Sequence, residues 1–350
     1  MKKLVIFILA AVLAFSFAAC GKNESNTSSA PAEESGNAAV SGAESETVSE
    51  ETEKIEVRVA GLKGPTSIGM VKLMQDSEEY KTHYNYTFTI AGSADEVTPK
   101  LVKGEIDIAA IPANLASVLY NNTEGEIQII AVNTLGVLYI VDKGGEVAKL
   151  EDLKGKTIYA TGKGSTPEYT LRHILSKNGI DPDKDVTIEF KSEPSEVVPL
   201  LKQADKAVAM LPQPYVTVAM NNVEGLNAVI DLNEEWGKIE SDTGIITGVT
   251  VVRREFAQAH PEAVKDFLNE CVSSVEYVNT NVESAAELVE KYGIVAAAVA
   301  KKAIPQCNIV FMYGEDIKMP LAVYLGVLYE ANAKSVGGKL PGDEICLVLD

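Results

Sequence analysis

The stretch Lys156–Leu175, KTIYATGKGSTPEYTLRHIL, decides how the rest of the chain is read. Thr157–Ala160 has the apolar alternation of a strand, Thr161–Ser165 is a glycine-rich loop, and a helix follows. Ser165 and Glu168 have the spacing of a capping box, and Pro167 falls in the first helical turn, where a missing N–H costs little. The unpaired amides of that turn face the loop, with the positive end of the helix dipole behind them. Such a loop is a cradle for a small ligand.

The stretch has an echo one hundred residues earlier. Ala60-Gly61-Leu62-Lys63-Gly64-Pro65-Thr66 aligns without a gap on Ala160-Thr161-Gly162-Lys163-Gly164-Ser165-Thr166. At the same offset Glu96, Val97, Pro99 and Leu101 meet Glu196, Val197, Pro199 and Leu201, and Asn121-Asn122 with Glu124-Gly125 meet Asn221-Asn222 with Glu224-Gly225. An internal period of this kind predicts two similar α/β units in tandem, each with a cradle after its first strand. Two units facing one another make a clamshell with a cleft between them.

Outward from this core, the chain opens MKKLVIFILAAVLAFSFAAC: two lysines, an apolar run too short for a comfortable stop-transfer helix, then small residues before Cys20. Residues 1–19 read as a secretory signal. Gly21–Lys54 is rich in Ser, Ala, Glu, Gly, Asn and Thr and has no aromatic residue, so it reads as a flexible acidic tether. As a coil its 34 residues would span on the order of 30 Å. No later apolar run reaches membrane-spanning length.

Removing Lys2 and Lys3 leaves 29 basic against 50 acidic side chains, a net charge of −21. That balance excludes a nucleic-acid footprint and argues against adsorption to anionic lipid heads. Cys271, Cys307 and Cys346 lack metal-ligand spacing. A Cys307–Cys346 bridge and buried free thiols both remain open. Gly162–Thr166 is not a Walker loop, no G-x-S-x-G elbow occurs, and no His pairs readably with Cys or Ser. The expectation is a protein without catalytic residues, metal or cofactor.

In order, strands are expected at Ile55–Val59, Tyr84–Ile90, Ile127–Val132, Val186–Phe190 and Ala207–Leu211, and helices at Ile68–Asp76, Leu115–Tyr120 and Ser195–Gln203. The helix after the second strand begins either at a Ser93–Glu96 capping box or at Thr98 with Pro99 first. Asn133–Val141 and Gly244–Val252 are the expected crossings between units. His260–Tyr329 reads as mostly helical and has no counterpart in the repeat, so it is assigned to the first unit.

Three stretches carry a family resemblance: Ala91–Pro112 with Gly104-x-x-Asp107, Asp152-Leu153-Lys154-Gly155-Lys156 with Gly164-Ser165-Thr166, and Val251–Leu268. Through their order and spacing the chain resembles the extracytoplasmic solute-binding proteins of ABC importers, in the nitrate/sulfonate/taurine and thiamine-precursor (SsuA/THI5-like) group. The resemblance implies a type II periplasmic-binding-protein fold: two α/β lobes, each a mixed sheet flanked by helices, joined by two interlobe crossings. Residues 55–138 with 249–350 would form lobe 1 and residues 139–248 lobe 2. It also implies Venus-flytrap closure on a small solute, delivery to an ABC permease, and a monomer. Phe17-Ala18-Ala19-Cys20 resembles the lipobox of bacterial lipoproteins, which implies a lipid at Cys20 holding the protein on the extracytoplasmic face of the cell membrane.

Carried onto this sequence, the family's cleft positions are Lys63, Gly64, Pro65 and Thr66; Ala91, Gly92 and Ser93; Pro112, Ala113 and Asn114; and Gly164, Ser165, Thr166, Glu168 and Gln213. Tyr215 and Trp236 are candidate stacking rings beside that cleft. Sulfonate binders commonly carry His where this chain has Glu168, and a carboxylate there would repel a sulfonate. An aminopyrimidine, an amine-bearing ring or another neutral heterocycle is therefore favoured over a simple sulfonate or nitrate. The alternative for Glu168 is a capping role on the amide of Ser165. Lys63 and Lys163 are either anion attractors or solvated loop lysines. Rival functions are a THI5-like pyrimidine synthase, whose cysteine-rich iron cluster this chain lacks, and a sensory lipoprotein reporting to a membrane kinase.

Overall fold

The computed structural model describes residues 55–349. The expected signal, the expected lipidation position Cys20 and the expected tether lie outside the described residues. The first half runs β1 (Glu56–Leu62), α1 (Pro65–Ile68), α2 (Val71–Glu78), β2 (Asn85–Ala91), α3 (Ala94–Val102), β3 (Ile108–Pro112), α4 (Ala113–Asn122) and β4 (Ile127–Leu135). The second runs β5 (Leu138–Lys143), β6 (Thr157–Thr161), α5 (Thr166–Lys177), β7 (Thr187–Lys191), α6 (Pro194–Gln203), β8 (Ala207–Pro212), α7 (Tyr215–Asn222), β9 (Leu226–Asp231) and α8 (Leu232–Ile239). The chain ends with β10 (Ile246–Arg253), α9 (Arg254–Ala259), α10 (Pro261–Thr280), α11 (Val282–Lys291), α12 (Ala297–Ala303), β11 (Ile309–Tyr313) and α13 (Lys318–Ala331).

These strands form two mixed sheets, ordered β11-β4-β10-β3-β1-β2 and β7-β6-β8-β5-β9. The hundred-residue echo is visible in them. β1, β2, β3 and β4 take the places that β6, β7, β8 and β9 take in the second sheet, and each first strand pairs in parallel with its two neighbours. In each sheet one antiparallel strand separates the third from the fourth: β10 between β3 and β4, β5 between β8 and β9. Ile108–Ile111 are all buried, as a central strand covered on both faces requires. Sheet membership changes between Leu135 and Leu138 and changes back before Ile246.

Ser93 and Glu96 form the capping box, so α3 begins at Ala94 and Pro99 sits inside the helix. Pro199 has the same place in α6. Asp107, buried at the start of β3, ties three strands of the first sheet together. Arg58 on β1 grips it with Nε (2.8 Å) and Nη2 (2.6 Å), and Arg253 at the end of β10 adds Nη2 at 2.8 Å. Burial alone would raise this carboxyl, but the two guanidinium groups and the Arg58 amide hold it below the usual carboxylate range.

The C-terminal region adds three features to the fold. It contributes an edge strand, β11, paired with β4. Its last helix does not belong to the first half alone. The helices α10 and α11 pack on α2, but α13 packs on both α4 and α5, and the Tyr324 ring lies 5.5 Å from that of Trp236. An apolar helix that buries Leu321, Tyr324, Leu325 and Leu328 finds apolar surface on both sides of the boundary. Finally, Cys271, Cys307 and Cys346 are free and buried, so of the two alternatives left open by the sequence the free thiols are the one found.

Candidate functional site

The two cradles are built alike but closed differently. In the first, the amide of Lys63 donates to Ala91 O (2.9 Å), joining the ends of β1 and β2. Gly64 then opens α1, with Pro65 at its first position. Gly64 is buried, yet a Cβ built there would meet nothing within 4 Å. A buried backbone with empty space above it marks a hollow at the tip of the first strand.

In the second cradle Gly162 and Gly164 take positive φ (76° and 73°), a conformation that glycine adopts without steric cost. Those two turns aim the amide of Gly164, not that of Ser165, at Glu168 Oε2 (2.7 Å), while Ser165 Oγ donates to Gly162 O (2.7 Å). The expected capping box is therefore replaced by a loop closed from within. Arg172 Nε donates to Glu168 Oε1 at 2.8 Å, so both carboxylate oxygens are engaged. Glu168 holds the loop and presents no free charge to a ligand. Lys63 and Lys163 are exposed.

The cradle of the second half reaches the first half. Asn114, fully buried at the start of α4, donates from Nδ2 to Gly164 O (3.3 Å) and to Ser335 O (2.9 Å), and Thr166 Oγ1 donates to Asn114 Oδ1 (3.2 Å). Gly248 on β10 lies where an added Cβ would fall 2.5 Å from Asn133 Oδ1 and 2.6 Å from Thr66 Cγ2, which places Thr66 beside the return crossing. At the opposite rim, Glu193 extends its carboxylate to Gly92, where a Cβ would run into Oε1. Ser93 stands next to it, its amide donating to Glu96 Oε1 (3.0 Å). Pro112 and Ala113, at the junction of β3 and α4, form the floor from which Asn114 projects.

Other expected positions do not face this gap. Gln213 is buried, accepts from Thr217 Oγ1 (2.9 Å) and donates to Gln306 Oε1 (2.8 Å), so its amide is spent on the outer side of α7. Trp236 is 0% exposed, donates Nε1–H to Thr243 O (2.9 Å), and packs between the rings of His173 (5.1 Å) and Tyr324 (5.5 Å). It is a core residue: the apolar surface of α5, α8 and α13 surrounds it. Tyr215 is 6% exposed. Burial, and then the charge of Glu193, push that phenol up. A crevice of about 880 Å³ lies away from both cradles, between the end of α5 and α13. Glu193 itself was missed by sequence reasoning, although the hundred-residue offset sets it opposite Ser93.

Among the described residues no group of three or more His, Cys, Asp or Glu could hold a metal ion, and no helix is long and apolar enough to cross a membrane. The gap offers hydroxyls, amides and one carboxylate, the means to bind a small polar molecule.

A family model described as the NMT1-like family matches residues 72–292. No curated protein matches the chain. Among solved structures, an ABC transporter protein from Parabacteroides distasonis is similar at a TM-score of 0.68 and 20% identity, over 83% of this chain and 98% of that one. The periplasmic aliphatic sulphonate binding protein SsuA from Escherichia coli follows at 0.66 and 14%, over 84% and 92%. The periplasmic nitrate-binding protein NrtA from Synechocystis PCC 6803 stands at 0.62 and 15%, over 84% and 87%. At these identities the likeness shows the fold: two mixed sheets flanked by helices, the type II periplasmic-binding-protein architecture.

Proposed function

The chain belongs to the NMT1-like family, and on that premise we propose that it is a solute receptor of an ABC importer. It captures a small organic solute between its two halves, closes on it, and delivers it to a membrane permease. It acts as a monomer on the extracytoplasmic face, held there by a lipid on Cys20. Lys63–Thr66, Ala91–Ser93, Pro112–Asn114 and Gly164–Thr166 line or shape the gap, and Glu193 joins them.

The observation that carries this reading is the pairing of Asn114 with Gly164 and Thr166 across the halves, together with the hollow above buried Gly64. A small solute under those tips would touch amides and hydroxyls from both sheets. The solved neighbours that bind sulphonate and nitrate support the receptor role. The preference for an amine-bearing or neutral heterocycle such as an aminopyrimidine, over a simple sulfonate, no longer rests on Glu168, whose charge Arg172 takes. It rests on Glu193.

The test is thermal unfolding of the full chain with a small-molecule extract of its source cells. Ligand at a hundred times its Kd adds about 2.7 kcal/mol of stability, because only the folded form binds. At about 2–4 °C per kcal/mol this raises Tm by roughly 5–10 °C. An extract that leaves Tm unmoved at every concentration would overturn the receptor reading.

A further inference from the structure

A ring of hydrogen bonds surrounds the passage of the chain from the first sheet to the second, between Leu135 and Leu138. On one side stands Asn308, in the loop between α12 and β11, next to Ile304 and Cys307 in the core of the first sheet. Asn308 O accepts from the Leu135 amide (3.1 Å), and Asn308 Nδ2 donates to Gly136 O. Its φ is 42°, a left-handed conformation in which asparagine is enriched over most residues. On the other side the amide of Gln213, just past the end of β8, donates to Val137 O (3.0 Å). The first half thus holds the crossing as far as Gly136, and the second half holds it from Val137. Rotation of one half against the other falls on the torsions between these two residues, and glycine has the widest choice of them. A Cβ on Gly136 would also fall 2.2 Å from Asn233 Oδ1 of α8, so the close approach of the halves there needs glycine.

Gln306 closes the ring. It lies two residues before Asn308, is exposed, and accepts at Oε1 from Gln213 Nε2 (2.8 Å). Gln213 is 1% exposed, and the Thr217 hydroxyl occupies its Oε1 (2.9 Å), which fixes the amide with Nε2 towards Gln306. Beside this bond Lys302 Nζ donates to Asn221 Oδ1 (3.2 Å), again from the first half to the second. A cavity of about 290 Å³, lined among others by Tyr139, Val216 and Met220, lies next to these polar tips. Here α7 and α12 therefore meet through side-chain ends and not through a packed apolar seam. Such a contact contributes modestly and can be released.

We propose that Gln306 and Gln213 form a latch across the pivot at Gly136 and Val137, which holds the two halves together in the empty receptor. The inference rests on the receptor reading above and gives a conformational role to side chains that touch neither cradle. The latch acts alongside the bonds of Asn114 to Gly164 and Thr166. A receptor held partly shut before solute arrives asks less of the solute, because apparent affinity scales with the fraction of molecules already in the binding arrangement.

The experiment is hydrogen exchange of the full chain without solute, read by mass spectrometry with fragmentation to single amides. Asn114 is the reporter: its amide lies in the first turn of α4, where no helical carbonyl is available, and it donates to Thr166 Oγ1 (3.5 Å) across the halves. Its exchange therefore tracks opening, while amides of Val264–Val278 in α10 track global unfolding. Gln306→Ala should speed exchange at Asn114 about twofold to tenfold, the range for one neutral hydrogen bond, and leave α10 unchanged. Gln306→Glu keeps an acceptor for Gln213 Nε2 and should restore slow exchange. Gln258→Ala, at an exposed glutamine of α9, should match wild type. Equal exchange at Asn114 in wild type and Gln306→Ala, acceleration shared equally by α10, or no rescue by Gln306→Glu overturns the latch while the receptor reading stands. The receptor reading is tested apart from this, by the extract that raises or fails to raise Tm.

Discussion

Replacing Asn114 by Ala removes three side-chain hydrogen bonds at once, and they fall into two classes. Those to Gly164 O (3.3 Å) and from Thr166 Oγ1 (3.2 Å) join the halves; that to Ser335 O (2.9 Å) holds the C-terminal turn. A neutral hydrogen bond contributes about 1 kcal/mol net, so the closed arrangement should lose about 2 kcal/mol. At about 1.4 kcal/mol per tenfold this lowers the closure constant, and hence apparent ligand affinity, by roughly thirtyfold. The Ser335 bond adds about 1 kcal/mol to the global loss. Tm should fall by roughly 6–12 °C for the total of about 3 kcal/mol. Urea unfolding and titration calorimetry with the stabilising compound measure the two losses separately. Ser117→Ala is the comparator: Ser117 Oγ donates only to Val336 O (2.9 Å). It should lower stability by about 1 kcal/mol and leave affinity alone. If Asn114→Ala binds within threefold of wild type, the interlobe bonds do not govern closure and the reasoning fails.

Three further outcomes are expected. Gly64→Ala should fold with nearly wild-type stability, since a Cβ there meets nothing within 4 Å, while ligand raises Tm less than in the wild type; a variant that binds normally would show that the hollow is not the site. Asp107→Asn should cost about 3 kcal/mol at pH 7, since Arg58 and Arg253 lose their buried partner. The folded-state carboxyl lies below its unfolded value of about 3.9, so its contribution is complete above about pH 5 and lost as pH falls through the folded value. The gap between wild type and Asp107→Asn in urea should therefore narrow on acidification, and a constant gap would refute the assignment. Burial pushes the thiol of Cys307 up to about 12 and that of Cys271 well above its usual value. Neither should react with a disulfide reagent at pH 8 until urea unfolds the chain, and reaction in the native protein would contradict their burial.

The twin sheets were legible because a repeat writes the same elements twice. Pro99 and Pro199, Gly125 and Gly225, and the two strand-loop-helix cradles support one another in a way that no single window does. Both antiparallel strands, β5 and β10, arose from stretches read only as crossings, because neither has a copy at the repeat offset. β11 was hidden for a related reason: Ile309–Tyr313 is a short apolar run whose partner, β4, lies far back in the chain. At the candidate site, Asn114 and Thr166 were expected from the ends of their strands, and the structure brings them together. Glu168 was misread because two positive-φ glycines decide which amide it meets, and spacing does not encode φ. Trp236 was misread because exposure of an aromatic ring depends on α13, which lies nearly a hundred residues downstream. Glu193 could have been found by applying the repeat offset to Ser93, since the residue that differs between copies is the one that breaks their symmetry.

The late return of β10 to the first sheet also sets an order of assembly. β3 and β4 have no direct bond to one another, and the strand that joins them, β10, ends at Arg253. Until that point of synthesis the N-terminal sheet stays split, with β4 unanchored and two raw edges open. At about 5–20 residues per second, the wait after β4 is made is of order 10 s. The C-terminal half is free of this delay, since β5 precedes its neighbours and is ready when β8 and β9 emerge. The part made first should therefore be the part finished last. A ribosome-stalled chain ending before Ile246 should protect β6–β9 from protease while β1–β4 are still cut.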